Sequence, residues 1–122
     1  MTQSTDTTTT PAKPVRVQLR RIKGWRMPAN TVKVDRSTRY GNPFTVEWAR
    51  HSGYAGTEAQ LTATCLWEFR MAIETREPGF TKLVSSLDAL RGKNLACWCS
   101  PEKACHADVL LWIVSKDAAD PA

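Results

Sequence analysis

The sequence predicts a small single α/β domain: a short three-stranded or four-stranded sheet flanked by about three helices. Three observations lead there. Two early segments alternate apolar and polar residues as half-buried strands do, the middle of the chain carries apolar residues at helical spacing, and a short apolar run between two helical patterns reads as a buried strand. With 122 residues, 42% hydrophobic and 24% charged, the chain has material for one core, which excludes a two-domain enzyme.

Each element has its own signal. Residues 1–14 are Thr-rich, contain Pro11 and Pro14, and have no large aliphatic side chain after Met1, so a disordered tail is expected there. Val15–Leu19 and Thr31–Asp35 alternate and are the first two strands, joined by a loop in which Gly24 and Pro28 are turn formers. Thr57-Glu-Ala-Gln60 has the form of a capping box. A long helix should follow it through Leu61, Cys65, Leu66, Phe69, Ala72 and Ile73, and Pro78-Gly79 should end it. Leu83, Val84, Leu87 and Leu90 form a second helical pattern stopped by Gly92, and Asn94–Trp98 is a buried strand. Glu102–Lys116 is the last helix, which leaves 117–122 as a short tail after a domain spanning 15–116.

Charge is unevenly distributed. Ten of the 17 Lys and Arg residues fall in the first 50 positions, opposed only by Asp6, Asp35 and Glu47; the remainder has a small negative balance. A positive half of this kind favours an anionic partner, a nucleotide or nucleic acid among them. The longest apolar run, Val109–Val114, is far below the ~20 residues of a membrane-crossing helix. Without a secretory signal, the four cysteines are expected as free thiols, metal ligands or catalytic groups in a cytoplasmic protein. No Walker loop, Rossmann fingerprint or H-E-x-x-H sequence is present.

The densest chemical signal is Cys97-Trp-Cys99, then Cys105-His106. Cys97 and Cys99 lie two apart on a strand end and share a face, while Cys105 and His106 fall near a helix start, so all four are expected in one partly accessible site. Two chemistries remain open. Three thiolates and an imidazole can hold zinc, although adjacent ligands on a helix diverge by about 100°. Alternatively, a helix start lowers a cysteine pKa and offers N–H groups to an anion, with Cys99 or Cys105 as nucleophile and His106 and Asp108 moving the proton. In that second case Cys105 is expected to be exposed. The bland reading is that the cysteines are small core residues, and Cys65, on an apolar helix face, is assigned to the core outright.

The second signal is the segment Arg36-Ser-Thr-Arg39-Tyr-Gly41-Asn42-Pro after the second strand. Arg36 and Arg39 would hold a phosphate or carboxylate, Gly41 would allow close approach, and Asn42 would orient a polar edge; the equal alternative is a structural turn with solvated arginines and Asn42-Pro43 as its turn signal. Lys23, Trp25 and Arg26 add cations and a ring in the preceding loop, a combination suited to base stacking, although a lone Trp is more often a core anchor. Trp48, Trp67, Trp98 and Trp112 are assigned to packing.

Val15–Arg21, Thr38–Phe44 and Leu95–Leu110 together resemble the bacterial and phage family called domain of unknown function 4326. The resemblance covers roughly residues 15–115 and implies a fold and a site location. It marks Arg39, Gly41, Asn42, Pro43, Cys97, Cys99, Cys105, His106 and Asp108 as motif positions. The strand-end Cys followed by Cys-His is also similar to another uncharacterised family whose members continue with Arg; Ala107 stands there in this chain, so that arginine's role does not carry over.

The preferred reading is therefore one pocket between the Arg36–Phe44 loop and the Cys97–Asp108 turn, binding or acting on a nucleotide, a nucleobase or another phosphorylated ligand. Two rivals stand beside it. One is a zinc-stapled nucleic-acid-binding module without catalysis; the other is a phage-derived modulator whose basic loops meet an acidic protein surface.

Overall fold

The computed structural model describes residues 14–100 and 102–119, with side chains through 115. The expected N-terminal tail lies, apart from Pro14, outside the described residues. Strands β1 (Arg16–Gln18), β2 (Thr31–Lys33) and β3 (Asn94–Cys97) form one sheet in the order β1-β3-β2, and both pairings are parallel. Helices α1 (Val46–His51), α2 (Glu58–Glu74), α3 (Thr81–Ser85) and α4 (His106–Ala119) surround it, with 3-10 turns at Pro78–Phe80 and Leu87–Leu90. The described residues thus form a small α/β domain with three strands.

The strand in the middle is the one whose sequence lacks alternation. Leu95, Ala96 and Cys97 are all buried, as a strand covered on both faces requires. β1 and β2 are shorter than their alternating patterns suggest, but the ladder continues past them: Leu19 N donates to Cys97 O at 2.7 Å and Val34 N to Ala96 O at 2.8 Å. Phe69 and Ile73 of α2, Leu110 and Ile113 of α4, and Leu83, Leu87 and Leu90 close the core over Val34 and Leu95. Ala49, Leu61 and Cys65 make a smaller cluster under Phe44 and Trp48.

Helix boundaries depart from the sequence expectation in three places. The α2 start is as expected, with Thr57 Oγ1 accepting from Gln60 N and Gln60 Oε1 accepting from Thr57 N. α1 has no counterpart in the sequence reading; its six residues are too few to show a period, although Thr45 caps it by accepting from Trp48 N at 3.0 Å. The 83–90 pattern is not one helix. It breaks at Ser86, whose carbonyl accepts from Tyr40 Oη (2.9 Å) and whose hydroxyl accepts from Arg39 Nη1 (2.9 Å). The last helix starts at His106 instead of Glu102, since residues 102–105 form a turn and loop in which Lys103 N donates to Ser100 O at 3.0 Å, and its backbone continues to Ala119, into the expected tail.

Three of the four tryptophans assigned to packing are largely exposed: Trp67 at 56%, Trp98 at 39% and Trp112 at 42%. Trp67 and Trp112 lie two positions from the buried Cys65 and Leu110 of their helices, about 200° round from the core face. Trp98 directly follows buried Cys97 and so turns to the other side of the strand end. Trp112 lies under Arg70, 4.1 Å from guanidinium to ring, and Trp48 packs edge-on to Phe44 at 4.6 Å.

Candidate ligand cavity and cysteine cluster

A cavity of about 350 Å³ opens where β2 and β3 end, between the segment 35–46 and the segment 97–106. Its position follows from the topology. Parallel strands present their carboxyl ends on one edge of the sheet, and the loops leaving them converge there. α2 supplies the far wall through Thr62, Cys65 and Leu66.

On the β2 side the central group is Asp35, buried at 6% exposure. Its Oδ1 accepts from Ser37 Oγ at 2.6 Å and Ser37 N at 3.3 Å, its Oδ2 accepts from Trp98 Nε1 at 2.8 Å, and Lys33 Nζ lies 3.8 Å away. Burial raises the pKa of such a carboxyl, but the bonds from Ser37 and Trp98 and the Lys33 charge outweigh it, and Asp35 sits below the usual value. Trp98 is consequently held by its edge while its ring stays half open, with the Arg21 guanidinium 4.3 Å from the ring centre.

The loop that follows is braced from within. Arg36 Nη1 donates to Asn42 O at 3.0 Å, and buried Asn42 accepts from Phe44 N at 2.9 Å while donating to Cys65 O at 3.3 Å. Gly41 is needed for this brace: a Cβ there would stand 2.6 Å from Arg36 Cα. The close approach that the glycine permits is therefore to its own loop, and not to a ligand as the sequence reading expects. Arg36 and Asn42 line the cavity.

On the β3 side, Cys97, Cys99 and Cys105 bring their sulfurs within 4.8 Å of one another. Cys97 and Cys105 are buried, Cys99 is partly exposed, and none is in a disulfide. Cys97 Sγ and Cys105 Sγ are 3.1 Å apart. The Cys105 thiol is pushed up to about 11 by its bond to Cys97 and by burial, against the pull of His106 and of the Ala107 N–H. Cys97 is lowered because Cys105 donates to it, despite its burial. Cys99 is raised by burial and by Cys105. His106 Nε2 donates to Val34 O at 2.6 Å. A carbonyl can only accept, so in the neutral ring the hydrogen is on Nε2 and the Nδ1 lone pair points toward Cys105 Sγ at 3.6 Å. The segment between the cysteines is tied down by Arg16, whose buried side chain donates to Ser100 O at 2.7 Å and to Asp108 Oδ2 at 3.0 Å.

The expected site residues divide accordingly. Cys97, Cys99, Cys105 and His106 meet at the cavity, as their spacing predicts, and Arg36 and Asn42 of the facing loop meet them there. Cys105 is not exposed: at 2% it is inside the cluster, since the helix begins after it and its side chain packs inward. Arg39 faces Ser86 and Asp108 faces Arg16; neither lines the cavity, and neither do Gly41, Lys23 or Trp25. Cys65 is buried on α2, as its helix face predicts. Sequence reasoning passed over Asp35, Ser37, Trp98 and Lys103. For Asp35, Ser37 and Trp98 the signal was position, since the first residues beyond parallel strands face the ligand edge; Lys103, six residues past β3, had no such signal.

With this geometry in hand, comparison with known proteins adds one finding. The family model described as Domain of unknown function (DUF4326) matches residues 17–116, which is nearly all of the described chain. Neither curated proteins nor solved structures gave a match.

Proposed function

Because the chain belongs to the family Domain of unknown function (DUF4326), whose description names no activity, we propose a function from the cavity itself: it binds a nucleotide, a nucleobase or another phosphorylated ligand. The observation that carries this reading is the convergence of the Arg36–Phe44 loop and the Cys97–His106 segment on one cavity of about 350 Å³. That volume lies in the range of small-molecule sites, and the carboxyl edge of a parallel sheet is where open α/β folds hold ligands. Arg36 and Lys103 in the wall supply charge for a phosphate, and the half-open Trp98 ring supplies a face on which a base can stack. Asp108 is turned to Arg16 and Cys105 is engaged with Cys97, so the arrangement favours binding over a thiol–imidazole–carboxylate relay. Among the described residues no helix is long and apolar enough to cross a membrane; cysteines outside any disulfide suit a reducing compartment, and a cytoplasmic location is part of this proposal.

Titration calorimetry with nucleoside monophosphates, free nucleobases and inorganic phosphate tests the proposal. Saturable one-to-one binding is expected for at least one of them, weakened about a hundredfold or more in Arg36→Gln/Lys103→Gln, because each of the two lost charge-assisted bonds is worth about 1.5–3 kcal/mol. Absence of binding across the panel, or equal binding by the double variant, overturns it.

A further inference from the structure

We propose that Cys97, Cys99, Cys105 and His106 Nδ1 together form a structural zinc site, independent of the ligand reading above. Three observations converge on it. The sulfurs come from two chain segments, the end of β3 and the residue before α4, yet lie within 4.8 Å of one another. His106 donates Nε2–H to Val34 O at 2.6 Å, which fixes the ring and leaves Nδ1 as a ligand; zinc-bound histidines characteristically donate their other nitrogen to a carbonyl or carboxylate in this way.

The third observation is metric. Zn–S bonds of about 2.3 Å and Zn–N bonds of about 2.0–2.1 Å in a tetrahedron imply S···N edges of about 3.6 Å and S···S edges of about 3.8 Å. The separation of Cys105 Sγ from His106 Nδ1 is 3.6 Å, the length of one such edge; the group within 4.8 Å consists of the three sulfurs without the imidazole, so the Cys97 and Cys99 side chains must rotate toward Nδ1 for all four to share the ion. The adjacent Cys105 and His106 stand that close because Cys105 precedes α4 and only His106 belongs to it. The 3.1 Å between Cys97 and Cys105 must widen by about 0.7 Å to become a tetrahedral edge, a change that side-chain rotation at Cys97 and Cys105 provides.

Charge and protons balance. Zinc displaces up to three protons from the three thiols to solvent and leaves a site of net charge −1 with a neutral imidazole. The Arg16 guanidinium, bonded to Ser100 O inside the intervening segment, and Lys103 of the cavity wall offset that charge. With four protein ligands the ion has no open position, so its role is to fasten the 98–105 turn to β3 and α4 and thereby to fix one wall of the cavity.

Metal analysis of the full chain, purified with a reductant and incubated with zinc, tests this. About one zinc per chain is expected, retained on gel filtration, with chelation lowering the melting temperature and zinc restoring it. Cys99→Ser, at the partly exposed ligand, should reduce zinc affinity by more than the ~10–100-fold that loss of an outer hydrogen-bond partner costs, while Cys65→Ser retains the metal. Should Cys99→Ser fail to fold, cobalt(II) loading of the unaltered chain decides: thiolate charge-transfer absorption with a tetrahedral visible spectrum supports the site. A folded chain that retains no metal, a cobalt spectrum without thiolate bands, equal zinc loss in Cys65→Ser, or a Cys97–Cys105 disulfide in the reduced preparation overturns it.

Discussion

Replacing Asp35 by asparagine changes one atom of a buried side chain and should cost stability in a pH-dependent way. Asp35 accepts from the Ser37 hydroxyl and the Trp98 indole, at 2.6 and 2.8 Å. Bonds to an ionised group contribute about 1.5–3 kcal/mol and neutral ones about 0.5–1.5. The amide can keep Trp98 on its oxygen and turn its NH2 to Ser37 Oγ, while the Ser37 N–H, 3.3 Å from the atom that the NH2 replaces, loses its acceptor; two charge-assisted bonds become neutral and a third is lost, at a cost of about 2 kcal/mol or more near pH 7. For a folded unit of this size that is a fall of roughly 10 °C in melting temperature. The folded-state pKa of Asp35 is depressed, so the carboxylate's contribution is fully present above the unfolded value near 3.9 and disappears as pH falls through the lower folded value. The amide of the Asp35→Asn variant cannot titrate. Urea unfolding of both proteins should therefore show a constant gap from pH 7 to about pH 5, narrowing below about pH 4. A gap that stays constant to pH 3, or none at pH 7, would refute the account of Asp35 as a charged acceptor.

Three further outcomes follow from local contacts. Thr57→Ala removes the hydroxyl half of the α2 capping box and should cost about 1 kcal/mol in urea unfolding; no change would mean that packing alone sets the helix start. Cys65→Ala should likewise cost about 1 kcal/mol and leave zinc content untouched, whereas loss of metal would move Cys65 out of the core and into the cluster. Arg39→Gln should lose the Ser86 contact, change stability by less than about 1 kcal/mol and leave ligand affinity intact, in contrast to Arg36→Gln, as calorimetry on the two variants would show. Affinity lost in Arg39→Gln alone would place Arg39 at the ligand.

What the sequence made legible was whatever depends on neighbours along the chain. The Thr57 cap, the α2 face with Cys65, and the convergence of Cys97, Cys99, Cys105 and His106 follow from periods and offsets of a few residues. The two loops that would meet at the cavity could also be named, because strand ends in an α/β domain share an edge. Side-chain direction beyond those offsets was not legible. Arg36 and Arg39 look equivalent in sequence, but one braces Asn42 beside the cavity and the other reaches Ser86 across 47 positions. Asp108, three residues after Cys105, is captured by Arg16 from β1. Trp98 looks like a packing residue because its type is apolar, and what turns its edge inward is Asp35, 63 positions away. Such pairings depend on which strand lies beside which, and no local pattern encodes that.

β3 is last of the strands in sequence and central in space, and this has a consequence for how the protein comes to exist. Neither β1 nor β2 touches the other, and each finds its partner only in 94–97; Val15 N, for instance, donates to Asn94 Oδ1 from 79 positions away. On a ribosome adding roughly 5–20 residues per second, the first two strands must wait on the order of 5–20 s before any strand pair can form. Until then their edges are open to each other and to other chains, and α1 and α2 are the units able to build early. Closure over so long a loop makes for slow folding more than for low stability. The same segment that completes the sheet carries Cys97 and Cys99, so pairing and cavity arise in one event. A nascent chain interrupted before that point has neither.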